Sequence, residues 1–334
     1  MKRRARFLLL ILMLSFWIGC EEPFSPKGPF EKKMVVYSLF SNKSDTQYVR
    51  VYTTYDAPGS DPLQNTTDTP VTDAVVTVTL GAAQARSQDT TLQRQDESRY
   101  SSSVLAYRFY PLKLERGKTY TLTVNSPSQG QAVASVTIPD QGSILAENTF
   151  LLRDPWYTID DVAFYAQLSN VTKGFLVRFF LDYEIYIKDK GWFPQLLQIP
   201  LTVLRGDSLS NYVADYPKLV RRSSPLTTGR YYRLGEEPKE IATYPNNVYR
   251  TMIRMIRRAY HPDDLKLKQV VVQLIQVEPQ FYDYYNIVNG FRDLTSIRVD
   301  QPDYTSIKGG IGVFGAFTVD YQTYEVPDTL GFNR

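Results

Sequence analysis

The 334-residue sequence contains a single cysteine, Cys20, and a single histidine, His261. One cysteine cannot form an intramolecular disulfide, and one histidine cannot supply a histidine-rich zinc site. Any Ser–His–Asp triad would have to use His261, which precedes the turn-like Pro262-Asp263-Asp264 and is expected to have a structural or surface role. Stability must instead come from buried apolar and aromatic side chains. The 25 tyrosines and 17 phenylalanines supply them, and both residue types favour strands.

The N-terminal apolar run, Phe7 to Ile18, is also short, because a helix needs about 20 residues to cross a bilayer. Basic residues precede this run, and Gly19-Cys20 closes it, which is the pattern of a secretory signal. A small residue before the cysteine resembles a bacterial lipobox, although Trp17-Ile18 replaces the usual leucine and small residue. The resemblance implies that the thiol of Cys20 carries diacylglycerol after cleavage. An ordinary or uncleaved signal with a free thiol is the alternative.

The sequence therefore predicts a signal peptide over residues 1–19 and a lipidated, flexible tether over residues 20–31, which is rich in proline. The acidic pair Glu21-Glu22 resembles the export signal that sends lipoproteins of Bacteroidota to the outer face of the outer membrane. We expect a lipid-anchored protein of the outer membrane that faces the cell exterior, with the inner or outer leaflet left open. The mature chain is nearly neutral, which argues against a nucleic-acid partner.

Alternation of apolar and polar residues begins at Lys33 and predicts an all-β protein. Six or seven short strands within residues 32–140 predict an immunoglobulin-like or transthyretin-like sandwich. Residues 141–334 predict a second β-rich, sandwich-like domain with one or two short helices, one of them near 279–294. Its longest predicted strand is 174–187, whereas 195–204 and 207–219 are ambiguous. Residues 81–98 and 139–155 are expected to be connections.

Residues 248–260 fit both a helix and a strand. The helical stripe consists of Tyr249, Met252, Ile253, Ile256 and Tyr260, while a strand would align Thr251, Ile253 and Met255. The same segment carries Arg250, Arg254, Arg257 and Arg258. These arginines could hold an anion or a lipid headgroup, but a solvated face is the simpler interpretation.

Two glycine-bearing segments superficially match nucleotide-binding motifs. Gly117-Lys118-Thr119 lacks the upstream glycine and the following helix of a phosphate-binding loop. The segment 307–317 is glycine-rich, but too little chain follows it for the βαβ unit of a dinucleotide site. We expect its glycines to allow close backbone packing at a bulge.

Several segments together carry a resemblance to a known family. They are the lipobox, the strand 35–40, Val-Thr-Asp-Ala-Val-Val-Thr-Val-Thr at 71–79, Gly-Lys-Thr-Tyr-Thr-Leu at 117–122, Glu-Pro-Gln-Phe-Tyr-Asp-Tyr-Tyr at 278–285, and Ile-Lys-Gly-Gly-Ile-Gly-Val-Phe-Gly-Ala at 307–316. Their order resembles Bacteroidota surface lipoproteins classified as domain of unknown function 4249. The family has no established catalytic residues, and its members are often encoded beside TonB-dependent outer-membrane transporters. The resemblance implies association with such a barrel.

The first functional hypothesis is a binding or accessory subunit on the cell surface, with no enzymatic activity. Its candidate contact residues for a protein partner, a glycan or a peptide are Trp156 and Tyr157 in one loop and Trp192 and Phe193 in another. We predict no metal, because the aspartate-rich loops lack EF-hand spacing, and no cofactor beyond the lipid on Cys20.

Two alternatives remain open from the residues. A structural subunit of another surface assembly would need no small ligand at all. A carboxylate-based glycosidase needs only two acidic side chains in a cleft, and the candidates are Asp154, Asp160, Asp161, Asp182 and Glu184.

Overall fold

The computed structural model describes residues 29–56, 65–94, 102–147, 160–223, 239–290 and 304–325. Within these ranges the protein is mostly β, which confirms the predicted fold class. The strands are β1 (Met34–Ser41), β2 (Gln47–Thr53), β3 (Val75–Leu80), β4 (Ala83–Arg86), β5 (Gln88–Gln93), β6 (Ser103–Phe109), β7 (Thr119–Ser126), β8 (Gly130–Thr137), β9 (Ser143–Ala146), β10 (Val162–Gln167), β11 (Gly174–Ile187), β12 (Gly191–Gln198), β13 (Thr202–Arg205), β14 (Val213–Asp215), β15 (Val220–Arg221), β16 (Glu240–Tyr244), β17 (Leu265–Val277) and β18 (Ile311–Glu325). The helices are α1 (Asn246–Ala259) and α2 (Pro279–Gly290), with a short 3-10 helix at Pro262–Asp264.

A nine-stranded sheet runs through the molecule in the order β12-β11-β17-β18-β1-β2-β6-β5, with β15 also paired to β11. The long strand β18 joins its two halves. It pairs in parallel with β1, from Val35↔Ile311 to Ser41↔Phe317, and antiparallel with β17 beyond Phe317. Two hydrophobic cores share this sheet, and the first of them includes residues from both sides of position 140.

The first core lies between this sheet and a second sheet of order β4-β3-β7-β8. Alternation along β7 buries Tyr120, Leu122 and Val124, which face Val36 and Phe40 of β1 across the sandwich. Burial of each large apolar side chain contributes about 2 kcal/mol. Residues from the end of the chain, Ile307, Phe314 and Ala316, complete this core.

The second core lies between the inner face of β11 and β17, the sheet β16-β10-β9, and helix α1. Its centre is a set of aromatic rings, Phe164, Phe179, Tyr244 and Tyr249, with centroids 5.0–5.9 Å apart. Edge-to-face ring contacts of this kind add to the stability that burial provides. The hydroxyl of Tyr244 donates to the carbonyl of Val177 at 2.8 Å, so the buried phenol is satisfied.

The ambiguous segment 248–260 is helical, within α1. Its buried residues Tyr249, Met252, Ile253 and Ile256 follow helical spacing and pack on the second core. Arg250, Arg254 and Arg257 each already interact with other groups, which fits a helix face better than a free anion patch. The helix predicted near 279–294 is confirmed as α2, which ends at Gly290 within the described residues.

Two expected connections contain strands instead. Residues 81–98 contribute β4 and β5, and the stretch 139–155 contributes β9. These predictions were wrong because β4 and β5 are short and polar, with little apolar alternation to mark them, and β9 has only four residues. Their positions in the sheets come from pairing with β3, β6 and β10. No helix in the described ranges is long and apolar enough to cross a membrane.

The glycines of β18 allow close packing, as expected. A side chain at Gly312, where φ is +118°, would collide with the carbonyl of Val36. At Gly315 a Cβ would lie 2.9 Å from Cβ of Phe281 and 3.1 Å from Oε1 of Glu278, so the residue lets α2 approach the sheet. The expected bulge was wrong, because the β1–β18 register is continuous over these positions.

Candidate functional site

A concave site of about 680 Å³ lies on the outer face of the large sheet, at β1 and β2. We call it the tyrosine groove. Its lining residues are Tyr37, Ser38, Leu39, Ser41, Lys43, Ser44, Thr46, Gln47, Tyr48, Arg50, Leu92, Tyr284, Val313 and Phe317. The volume is within the usual range for small-molecule sites, 300–1,000 Å³.

Strand alternation explains the floor of the groove. In β1, Val36 and Phe40 point into the first core and are fully buried, so Tyr37 and Leu39 must point outward. Tyr37 and Leu39 are 39% and 37% exposed, and Tyr48 on β2 is 39% exposed. Three large side chains that share one concave surface while open to water mark a contact surface.

The rim of the groove is the β1–β2 turn, which is held rigid by the buried side chain of Gln47. Its Oε1 accepts from the backbone N–H of Ser41 at 3.0 Å, and its Nε2 donates to the carbonyls of Ser41 and Ser44. Asn42, which follows the last residue of β1, exchanges two hydrogen bonds with the backbone of Val319. These bonds extend the contact between β1 and β18. The rim is thus preorganised.

Helix α2 forms the opposite wall and brings Tyr284 to within 6.1 Å of Tyr37, between ring centroids. The helix is positioned by Glu278, which is 1% exposed and accepts hydrogen bonds from the N–H groups of Gln280, Phe281 and Ala316. Two of these bonds cap the helix and the third ties it to β18. Burial nevertheless outweighs these bonds and raises the pKa of Glu278 to about 7.

Arg50 is the central cation of the groove. Its Nε donates to the hydroxyl of Tyr52 at 3.1 Å, and its guanidinium carbon lies 4.9 Å from the centre of that ring. In the described part of the chain the guanidinium has no carboxylate partner. Arg50 also lines an adjoining cavity of about 530 Å³ that contains Asp68 and Arg94, so it stands where the two cavities meet.

The phenols that face Arg50 stay protonated at neutral pH. Burial raises the pKa of Tyr37 and that of Tyr284, while the positive charge of Arg50 lowers both more weakly. Each phenol therefore keeps a hydroxyl that can donate. The groove combines aromatic faces, hydroxyl groups and two cations, Lys43 and Arg50, and none of the described residues that line it is an aspartate or glutamate.

The predicted contact residues Trp192 and Phe193 lie elsewhere, on strand β12 at the edge of the large sheet. Both are 36% exposed. Trp192 lies 5.5 Å from Tyr186 between ring centroids, and Nζ of Lys266 lies 3.8 Å from the centre of its ring. The other predicted residues, Cys20, Trp156 and Tyr157, lie outside the described residues.

Three candidate carboxylates of a glycosidase have structural partners. Asp182 accepts from the amide of Gln269 at 2.9 Å, Glu184 pairs with Lys268 at 3.3 Å, and Asp161 accepts from the backbone of Asn246. Asp154 lies outside the described ranges. None of the described candidates lines the tyrosine groove or the cavity beside it, and the described ranges contain no cluster of three acidic, histidine or cysteine side chains suited to a metal.

His261 has the structural role expected for it. Its Nδ1 accepts from the backbone N–H of Asp263 at 3.4 Å and so begins the short 3-10 helix.

Sequence reasoning missed the groove because its residues come from distant parts of the chain. Tyr37 and Arg50 lie on neighbouring strands, but Tyr284 reaches them only through the packing of α2 on β18. The alternation of β1 contained one usable signal, since Tyr37 and Leu39 fall on the face opposite Val36 and Phe40.

Comparison with known proteins supports the resemblance seen in the sequence. A sequence search found no match among curated proteins. A family model described as domain of unknown function DUF4249 matches residues 21–323, which is most of the chain and includes every strand described above except the last two residues of β18. The chain therefore belongs to the DUF4249 family.

Proposed function

We propose that this protein is a lipid-anchored outer-membrane lipoprotein that works by binding, without catalysis, as an accessory subunit of a TonB-dependent transporter-type complex. The tyrosine groove is its ligand site. The observation that supports this most is the groove itself, an open concave surface with three exposed large side chains on a rigid floor. Preorganised aromatic surface of this kind binds at low entropic cost.

A ligand screen with matched variants tests the binding role. The purified chain from residue 20 onward, with Cys20→Ser, retains every described residue and can be applied to arrays of glycans and peptides. We expect at least one class of ligand to bind, and Tyr284→Ala to reduce its affinity tenfold or more by removing a groove wall. Tyr110→Ala is the control, because Tyr110 is 61% exposed and lies outside the groove. No ligand, or equal binding by both variants, would contradict the proposal.

The partner role is tested separately, by isolating the tagged full-length lipoprotein from outer membranes in mild detergent. We expect a TonB-dependent barrel in stoichiometric amount, and Cys20→Ser to abolish membrane association by removing the acyl chains. Trp192 and Phe193 are the proposed barrel contact, since exposed aromatic residues on an edge strand suit a protein interface. Trp192→Ala/Phe193→Ala should lose the barrel, whereas Leu204→Ala, at a residue 65% exposed on β13, should retain it. Recovery of the lipoprotein alone would exclude the transporter role.

A further inference from the structure

Among the described residues Arg50 has no carboxylate partner, which distinguishes it from two other arginines, Arg94 and Arg116. Arg94, which lines the adjoining cavity, holds Asp68 through both carboxylate oxygens at 2.8 Å. Arg116 likewise holds Asp320 at 2.6 Å. Among the described residues, Arg50 has only a hydroxyl acceptor, Tyr52, which engages Nε and leaves the two terminal nitrogens for another group. An arginine whose two terminal nitrogens are available can donate hydrogen bonds to both oxygens of a carboxylate.

The surroundings of Arg50 favour the same chemistry. The rings of Tyr37 and Tyr284 lie 6.1 Å apart between centroids, and both line the groove together with Arg50, whose positive charge acts on both hydroxyl groups. A carboxylate placed there would accept from the guanidinium and from either phenol. Lys43 on the rim adds a second positive charge, and the described lining residues include no carboxylate that would repel an anion.

The rest of the groove can accommodate the apolar or aromatic part of a ligand that bears a carboxylate. Leu39, Tyr48 and Phe317 offer apolar and aromatic surface next to the polar region. A volume of about 680 Å³ accommodates a ring or an apolar side chain attached to the carboxylate.

We propose that the tyrosine groove binds a ligand through a carboxylate held by Arg50, Tyr37 and Tyr284, with an attached ring or apolar group on Leu39, Tyr48 and Phe317. This inference rests on the proposed binding function and adds the chemical class of the ligand. Two sources offer such a carboxylate, the C-terminus of a peptide and the uronic acid of an oligosaccharide. Both contain the same charged group, so their neutral counterparts provide the decisive comparison.

The test is a set of paired titrations of the chain from residue 20 onward, with Cys20→Ser, monitored by protein NMR. The probes are N-acetylphenylalanine with its amide, and trigalacturonate with trigalactose. We expect a carboxylate member of at least one pair to bind tenfold or more tightly than its neutral counterpart. The pair that shows the preference tells whether the carboxylate comes from a peptide C-terminus or from a uronic acid. The group attached to the carboxylate in the other pair would not fit the apolar part of the groove.

Variants of Arg50 and Tyr284 test whether these side chains cause the preference for the carboxylate probe. Arg50→Leu should abolish the preference. Arg50→Lys should keep part of it, because lysine keeps the positive charge but lacks the paired donors of the guanidinium. Tyr284→Phe, which removes one hydroxyl and keeps the ring, should weaken the carboxylate probe and leave the neutral one unchanged. Arg221→Leu is the control, since Arg221 is exposed on β15, outside the groove.

The failures of the two proposals differ. If carboxylate and neutral probes bind equally, or if both Arg50 variants and Tyr284→Phe keep the wild-type preference, the carboxylate assignment is overturned while a neutral ligand in the groove still supports the binding function. If no probe binds at 10 mM and no array ligand depends on Tyr284, both proposals are overturned.

Discussion

Glu278 is the side chain whose ionisation is most strongly coupled to the fold around the groove. It lies between β17 and α2, caps α2 and accepts a hydrogen bond from Ala316 of β18, all from a buried position. Asp283 raises its pKa further, and Asp283 is itself paired with Lys173 at 2.7 Å. The charge state of one carboxylate therefore affects the junction between a helix and the sheet.

We predict that Glu278 makes stability depend on pH. Its pKa of about 7 in the folded protein lies above the ordinary value of 4.5, so folding favours the protonated form. The stabilisation is complete below pH 4.5 and is lost as the pH rises through 7, by about 3 kcal/mol in all. Glu278→Gln should remove this slope, because glutamine does not ionise in that range.

The measurement is urea unfolding between pH 4 and 8. Glu278→Gln should also lower the free energy of unfolding at pH 5, because its amide group cannot accept all three backbone bonds. Glu115→Gln, at an exposed position, is the control and should keep the wild-type slope. Parallel profiles for wild type and Glu278→Gln would show that Glu278 does not carry the effect.

Helix α2 forms one wall of the groove, and its position depends on Gly315 of β18, where a side chain would leave too little space. Phe281 packs on Phe317, with ring centroids 5.9 Å apart, directly above Gly315. Leu39 of the groove floor also lies against this glycine. The wall and the floor of the groove therefore meet at one point of close packing.

We predict that Gly315→Ala displaces α2. The added methyl group would lie 2.9 Å from Phe281, 3.0 Å from Leu39 and 3.1 Å from Glu278, so the helix must move outward. Overpacking of this kind costs about 1–3 kcal/mol. Hydrogen exchange should increase in residues 280–287, and groove affinity should fall.

Gly81→Ala is the control for Gly315→Ala, because it introduces backbone strain without steric crowding. Gly81 has φ of +58° with no atom within 4 Å of an added methyl group, so only the backbone opposes the change. It should cost about 1 kcal/mol and leave exchange in α2 unchanged. Equal effects of the two substitutions on α2 would contradict the packing explanation.

At the level of the whole molecule, two cores are joined by one sheet and by a buried polar network. Asp320 on β18 accepts from Arg116 of the first sandwich at 2.6 Å and from the backbone N–H of Gly142 at 3.0 Å. Gln276 of β17, fully buried, bonds to the carbonyl of Asp140 and to the 169–172 turn. These contacts connect both cores where the chain passes between them.

We predict that Asp320→Ala lowers the free energy of unfolding by about 2–4 kcal/mol, because it leaves Arg116 and the N–H of Gly142 without their acceptor. Asp207→Ala, at an exposed position, should change it by less than about 0.5 kcal/mol. A double-mutant cycle with Arg116→Ala measures the coupling. A coupling near zero would show that the pair does not hold the cores together.

The start of β1 and the aromatic edge lie at opposite ends of this sheet. The chain enters at Met34, beside the start of β18, whereas the β11–β12 hairpin with Trp192 lies beyond its end. At about 3.4 Å per residue, the 15 residues of β18 span about 50 Å.

Local patterns predicted most of the strands, because alternation is a property of consecutive residues. The strand 174–187 matches β11 at both ends, and the glycines of 307–317 do allow close packing. The pairing of β1 with β18 was not predictable, since it joins residues almost 280 positions apart. Trp192 and Phe193 could be selected from a local cluster, whereas Tyr37, Arg50 and Tyr284 converge only in the folded chain.

Hydrogen–deuterium exchange of the chain with its best array ligand tests the binding role of the groove most directly. We predict slower exchange in peptides that cover residues 37–50 and 280–287, which form the floor, rim and wall, and unchanged exchange in residues 186–193. Protection confined to other segments, or the absence of any ligand that protects the groove, would contradict a binding function at this site.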